Sequence, residues 1–475
     1  MQMQAQDFLA LLFGSRTQFG ITEGNSLSAP RINGTRQFFE GSAGALPLIR
    51  FDSRIDNVYK ETRSDGTVRG LQGGFNSAEV IAPLTIGPRP MVFRAKVRST
   101  SVAADIDVDA GQHASYAGSD KYVSAAVDVP ITDALNWSAG MSEYVQVGRS
   151  SPGYESGISY KNADGVMMLT LRQRPYAQEL GLTVNGVDGV LPLDFSQKGV
   201  EVSFGIPLRH MTLHLAGHDD MLLPLPEATR RNDTRFSPDG RSWGLSCNLR
   251  AEISPVVDAL LSLGSESLGG KGIFTSRMSS YGELDTVSLQ FDNVQAGIEY
   301  EPSASVGIVA DVSWSAINAQ AAGYAENWPF VSISRLSLSQ GHFQGAVEAR
   351  SVQAHLGALL TLSEGFHTAL GVNIVRMTPD AQVTTWQSKF LSFGQQSRMT
   401  MQLPFKEVRG LILSGGINRR IGSFEFVYSF SQIALLRTTP TESGRQEVSS
   451  APVVSSVQVH GSGGQFHSLS VVMYL

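Results

Sequence analysis

The stretch 91–109, MVFRAKVRSTSVAADIDVD, constrains the fold more than any other part of the chain. Met91, Phe93, Ala95 and Val97 alternate with Arg94, Lys96 and Arg98. After a short polar turn, Val102, Ala104, Ile106 and Val108 alternate with Asp105, Asp107 and Asp109. Period-two alternation puts apolar and charged side chains on opposite faces of a strand. A hairpin folded about Ser101 and Val102 sets Arg98 against Asp105, Lys96 against Asp107 and Arg94 against Asp109. Opposite charges directly across a ladder support each other. The expected unit has one apolar face and one ionic face.

The same alternation recurs almost to the last residue, for example over 123–131, 135–147, 166–171, 200–206, 243–251, 306–314, 352–362, 411–417, 424–430 and 469–475. No helical periodicity of useful length interrupts it, and no fixed-length repeat marks a propeller or solenoid. Tight turns fall near 208, 254, 302, 363 and 419, and between them lie long connections over 218–241, 265–285, 317–345, 378–407 and 436–464. A soluble sandwich also alternates, because one face of each sheet packs on a core. It gives no reason for turn lengths to alternate by end. Short turns at one end and long loops at the other belong to membrane barrels. Trp137, Tyr154, Trp243, Tyr300, Trp314 and Tyr474 sit near strand ends, where interfacial girdles hold amphipathic rings.

Composition narrows the choice. Only 17% of the 475 residues are charged and 42% are hydrophobic, yet no apolar run approaches the ~18 residues of a membrane helix. A net charge of −6 argues against a nucleic-acid surface. A single cysteine, Cys247, excludes a disulfide scaffold. The opening MQMQAQ lacks the basic region of a secretory leader, which fits either a cytosolic chain or a mature form.

The C-terminal segment HSLSVVMYL, with Leu469, Val471, Met473 and Leu475 alternating with small or polar neighbours, resembles the terminal strand of bacterial outer-membrane β-barrel proteins. That resemblance implies a bacterial outer-membrane location, a lipid and lipopolysaccharide surround, and engagement of the barrel assembly machinery through 467–475. The expected fold is all-β: a transmembrane antiparallel up-and-down barrel of about 16–18 strands, or as few as 14, with an even count. The barrel is expected over 78–475, preceded by a non-barrel plug or periplasmic segment over 1–77. The terminal strand is expected to close the ring against a strand within 78–98.

A barrel of this size encloses a lumen wide enough for water and solutes. The expected function is a channel for passive passage of small solutes, partly occluded by the N-terminal segment or a long loop. Phe8, Leu9, Leu11 and Leu12 are the candidate plug residues. An N-terminal segment before the barrel also resembles FadL-type transporters of hydrophobic compounds, and a non-conducting barrel anchoring an envelope assembly is the third reading. The lumen is expected to be lined by Arg94, Lys96, Arg98, Asp105, Asp107 and Asp109, with Glu143, Arg172 and Arg250 added, although Glu143 falls on the apolar parity and is read as lying above the membrane. His210, His214 and His218 fall every fourth residue on one strand face. Strand positions four apart lie ~13 Å from each other, too far to share a metal, so His210 and His214 are read as lumen lining. Asp219 and Asp220 are read as the mouth of the following loop. There is no G-x-S-x-G, phosphate loop, dinucleotide fingerprint or zinc spacing, so no enzyme, metal or cofactor is expected. A homo-oligomer or envelope complex is compatible with this reading, and a nucleic-acid partner is not.

Overall fold

Alternating sequence becomes extended chain throughout. The computed structural model describes residues 48–474 apart from 63–67, 86–89, 110–111, 147–148, 164, 185–186, 225–233, 277–280, 304, 327–339, 364, 389–395, 404–407 and 437–463. All of its regular structure is β. The first strands are β1 (Leu48–Thr62), β2 (Val68–Thr85), β3 (Pro90–Asp109), β4 (Gln112–Pro130), β5 (Leu135–Gln146) and β6 (Arg149–Asn162). Next come β7 (Gly165–Val184), β8 (Val187–Leu208), β9 (Met211–Pro224), β10 (Thr234–Ser254), β11 (Val257–Ser276), β12 (Tyr281–Ser303) and β13 (Val306–Glu326). The last are β14 (Gln340–Ser363), β15 (Phe366–Ser388), β16 (Gln396–Leu403), β17 (Val408–Ile421), β18 (Phe424–Leu436) and β19 (Gly464–Tyr474).

Successive strands pair antiparallel from β1 through β15. Both β16 and β17 pair with β15, over different halves of it, so they share one place in the wall. From β17 the ladder runs to β18 and β19, and β19 then pairs with β1. The ring is closed. Among the described residues, nineteen strands fill eighteen ring positions, an even number that lets every neighbour be antiparallel. Beyond the short β5–β6 hairpin, β4 pairs directly with β7 through Ala114↔Val184 to Ala117↔Gly181.

Three sequence expectations need correction. First, 91–109 is one continuous strand within β3, with no turn at Ser101 and Val102. The register instead places Ala126, Ser124 and Tyr122 opposite Arg94, Lys96 and Arg98, and Ser115, His113 and Gln112 opposite Asp105, Asp107 and Asp109. Gly73 and Gly74 of β2 oppose Val102 and Ser101 on the other side, so the polar stretch is held by two neighbours and does not bend back. Second, the first described strand of the ring starts at Leu48, and the terminal strand closes against β1 through Phe51↔Val471 and Ser53↔Leu469, not against 78–98. Residues 48–77 therefore belong to the wall. Ile49, Phe51 and Ile55 alternate there with Arg50, Asp52, Arg54 and Asp56, a thin apolar signal with Ser53 in its midst. Residues 1–47, with Phe8, Leu9, Leu11 and Leu12, lie outside the described residues. Third, most of the long connections are strand. The ladder of β11 and β12 continues to Thr275↔Tyr281, and that of β13 and β14 to Glu326↔Gln340. Twenty-residue strands reach ~66 Å, against the ~9–11 residues that span a bilayer. Above the membrane both faces are wetted, so the ladder persists while the apolar alternation fades.

The tight turns sit at one end and use local chemistry. The hydroxyl of Thr132 accepts from the backbone N–H groups of Ala134 and Leu135 at 3.2 and 2.9 Å. The β14–β15 and β17–β18 turns carry Gly365 at φ 70° and Gly422 at φ 58°, left-handed backbone that a side chain strains. Leu48 and Tyr474 face each other at this same end.

Polarity is reversed relative to a soluble domain. Outward positions carry large exposed apolar side chains, among them Leu245, Leu171, Leu356, Leu370 and Val312. Most of the buried set is polar: Ser159, Thr170, Asn248, Ser262, Asn293, Ser351, Asn373, Ser414 and Asn418 all face inward. On β10 the outward apolar series runs from Trp243 to Ile253, ~33 Å along the strand. With the ~40° tilt of such barrels this gives a belt ~25 Å tall, the height of a bilayer core. Buried apolar residues collect on the inner wall of β13, β15, β17 and β18 as Val309, Ala369, Val375, Ile412 and Val427.

Val312 and Ser313 are neighbours on opposite faces of β13, the first 55% exposed outward. Val312→Arg is expected to destabilise the barrel by ~2–4 kcal/mol and Ser313→Arg by much less. Urea unfolding in lipid vesicles measures both, and equal losses would place the belt on the wrong face.

Candidate functional site

The inner wall from β3 to β15 carries the chemistry, and its register explains how. One cross-strand row reads Arg94, Ala126, Gly140, Glu155, Arg172, Gly199, Asp220, Ser242. The adjacent inward row reads Asp128, Ser138, Gly157, Thr170, Glu201, His218, Gly244. Long charged side chains thus alternate with glycine, alanine and serine. The spacing is needed: a Cβ on Gly199 would collide with the Asp219 carbonyl and the Asp220 carboxylate, and one on Gly244 would lie 2.5 Å from the His218 ring.

Three arginine-centred clusters occupy these rows and the next. Arg94 Nη2 donates to Asp128 Oδ2 at 3.0 Å. Arg172 clamps Asp220 with two parallel bonds, Nε to Oδ1 at 3.0 Å and Nη2 to Oδ2 at 2.6 Å, while its Nη1 donates to Glu201 Oε2. All three side chains of that cluster are at most 5% exposed. A planar guanidinium matches a carboxylate with two donors, which lysine cannot do. Arg250 donates from Nε to Asp258 Oδ2 at 2.8 Å, and its Nη2 lies 3.2 Å from Glu299 Oε2. Farther round, Asp311 Oδ2 lies 2.9 Å from His355 Nδ1 and its Oδ1 accepts from Gln295 Nε2 at 3.0 Å.

The expected site residues fall as follows. Arg94 faces inward on its Asp128 partner. Lys96 stands opposite Glu79 of β2, and the Arg98 guanidinium lies 4.9 Å from the Tyr122 ring centroid. Asp105, Asp107 and Asp109 lie farther along the same strand and are not brought opposite the basic trio. His210 is in the turn before β9, exposed, 3.6 Å from Glu252 Oε2. His214 and His218 are on β9, with His218 Nε2 3.9 Å from Asp220 Oδ2. Arg172 and Arg250 are inward, as read from sequence. Sequence reasoning misses Asp128, Glu201, Asp258, Glu299 and Asp311, because their arginine or histidine partners lie across ladders whose register one strand does not reveal. Asp220 lies within β9 and not at a loop mouth, because that strand runs on past 218 to Pro224. Among the described residues no set of His, Cys, Asp and Glu converges to hold a metal ion.

Arg172→Leu is expected to cost ~3–5 kcal/mol, because it leaves Glu201 and Asp220 buried without a cation. Arg172→Lys keeps the charge and should lose less. Thermal unfolding in detergent reads both, and an Arg172→Leu barrel as stable as the parent would show that the cluster does not hold the wall.

No family model matches this chain, and no curated protein does. Among solved structures it is similar to a deletion variant of the TodX monoaromatic hydrocarbon channel, at TM-score 0.36 and 9% identity over 92% of each chain. A variant of the ferric enterobactin receptor PfeA from Pseudomonas aeruginosa aligns at TM-score 0.39 and 11% identity, over 90% of this chain and 80% of that one. The anion-selective porin from Comamonas acidovorans aligns at TM-score 0.37 and 7% identity, over 90% and 98%. A likeness of this size carries no function across.

Proposed function

We propose that the chain is a bacterial outer-membrane β-barrel that lets small polar solutes pass through its lumen. The reversed polarity carries this reading. An exposed apolar belt with the height of a bilayer core needs lipid around it, and an inner wall of Ser, Thr, Asn and paired charges suits water. Ring closure fits the same setting, since an open sheet edge in hydrocarbon leaves backbone groups unsatisfied at several kcal/mol each. In that membrane the outer partners are lipid and lipopolysaccharide, and segment 467–475 is the part offered to the barrel assembly machinery. The role is transport without catalysis.

The inner apolar group of Val309, Ala369, Val375, Ile412 and Val427 favours a second reading, a path for hydrophobic compounds like that of FadL-type transporters. Conductance separates the two. Folded protein in planar bilayers is expected to give stable ionic steps, and its band on an SDS gel is expected to shift on boiling. A heat-shifting barrel that does not conduct would favour the hydrophobic path or an anchoring role. A band that does not shift would remove the barrel itself.

A further inference from the structure

Among the described residues of the inner wall, single arginines meet more than one carboxylate. Arg172 serves two carboxylates, Glu201 and Asp220, and Arg250 serves two more, Asp258 and Glu299. Glu252, Asp258 and Glu299 moreover stand directly opposite one another on β10, β11 and β12. Like charges across a ladder repel, and Arg250 is the cation that the structure sets against two of them.

A second observation points the same way. Asp128 Oδ1 and Glu201 Oε1 are buried carboxylate oxygens without a hydrogen-bond partner, in residues each 4% exposed. Both belong to one cross-strand row, Asp128–Ser138–Gly157–Thr170–Glu201. A buried acceptor left unmade is costly. These oxygens are closed off from the lumen, so they act on a passing cation through their field rather than by contact, and among the described residues no ligand set converges to hold it. Glu252 and Glu301 are exposed toward the tight-turn end and add the same sign of field there.

From these features we infer that the lumen passes cations in preference to anions, the surplus carboxylates of the Arg172 and Arg250 clusters setting the preference. This rests on the channel reading above. The test is the reversal potential of the full chain in planar bilayers under a potassium chloride gradient, at low and at high salt. The expected cation-to-anion permeability ratio is above one and falls toward one at 1 M, where the screening length is ~3 Å. Glu201→Gln and the exposed pair Glu252→Gln with Glu301→Gln are each expected to lower the low-salt ratio at least twofold. A conducting parent with a ratio of one or less overturns the inference and leaves the channel intact. So does a ratio that neither set of folded variants changes. A folded barrel that conducts nothing overturns the channel reading, and this inference with it.

Discussion

The seam between β1 and β19 is the interaction on which the rest depends. In lipid no water is present to satisfy an open sheet edge, so every backbone N–H and C=O of the spanning part must find a partner in a neighbouring strand. The seam does this from Leu48↔Tyr474 to Asn57↔Gln465, while β19 is held on its other side by β18. Without it two strands would present edges to hydrocarbon, and the inner wall would have no inside. Closure recruits a strand whose apolar signal is weak, because hydrogen-bond satisfaction outweighs side-chain preference at that position.

Once the ring is closed, side-chain polarity follows from geometry. Successive residues point to opposite faces, so one parity meets lipid and the other meets the lumen. The outward parity is Leu, Ile, Val and aromatic, and Trp137 at the belt's margin still satisfies its indole N–H on Ser156 Oγ at 3.0 Å. Farther from the tight turns, outward positions turn charged, as in the exposed pairs Arg241 with Asp219 and Arg350 with Glu348. Such wetted pairs contribute only ~0–1 kcal/mol each. Their place along the strand marks where the belt ends.

The inward parity poses a harder problem, since its charges are largely removed from water. The wall solves it with small residues beside large ones. Gly199 and Gly244 make room for Asp220 and His218, and that room lets Arg172 reach two acids at once. The abundance of glycine in a strand-forming chain, 48 residues in all, has part of its explanation here. Glycine weakens a strand locally, and in this wall it leaves the space that the charged side chains occupy.

The class of fold is legible in the alternation alone. Alternation at Met91–Val97, Val200–Ile206 and Phe424–Phe430 could only be strand, and the lack of any helical period left an all-β chain. The inward placement of Arg172 and Arg250 was legible too, because parity along one strand is a local property. Partnership was not. Which residues meet across a ladder depends on register, and register is set by turns and closure rather than by either strand alone. Arg94 thus found Asp128 on β4, and the aspartates of its own strand stayed far along β3. The carboxylates around Arg172 come from strands 29 and 48 residues away in sequence. Which strand closes the ring and which acids share each arginine emerge only on folding, because each answer requires the whole ring to be hydrogen-bonded at once.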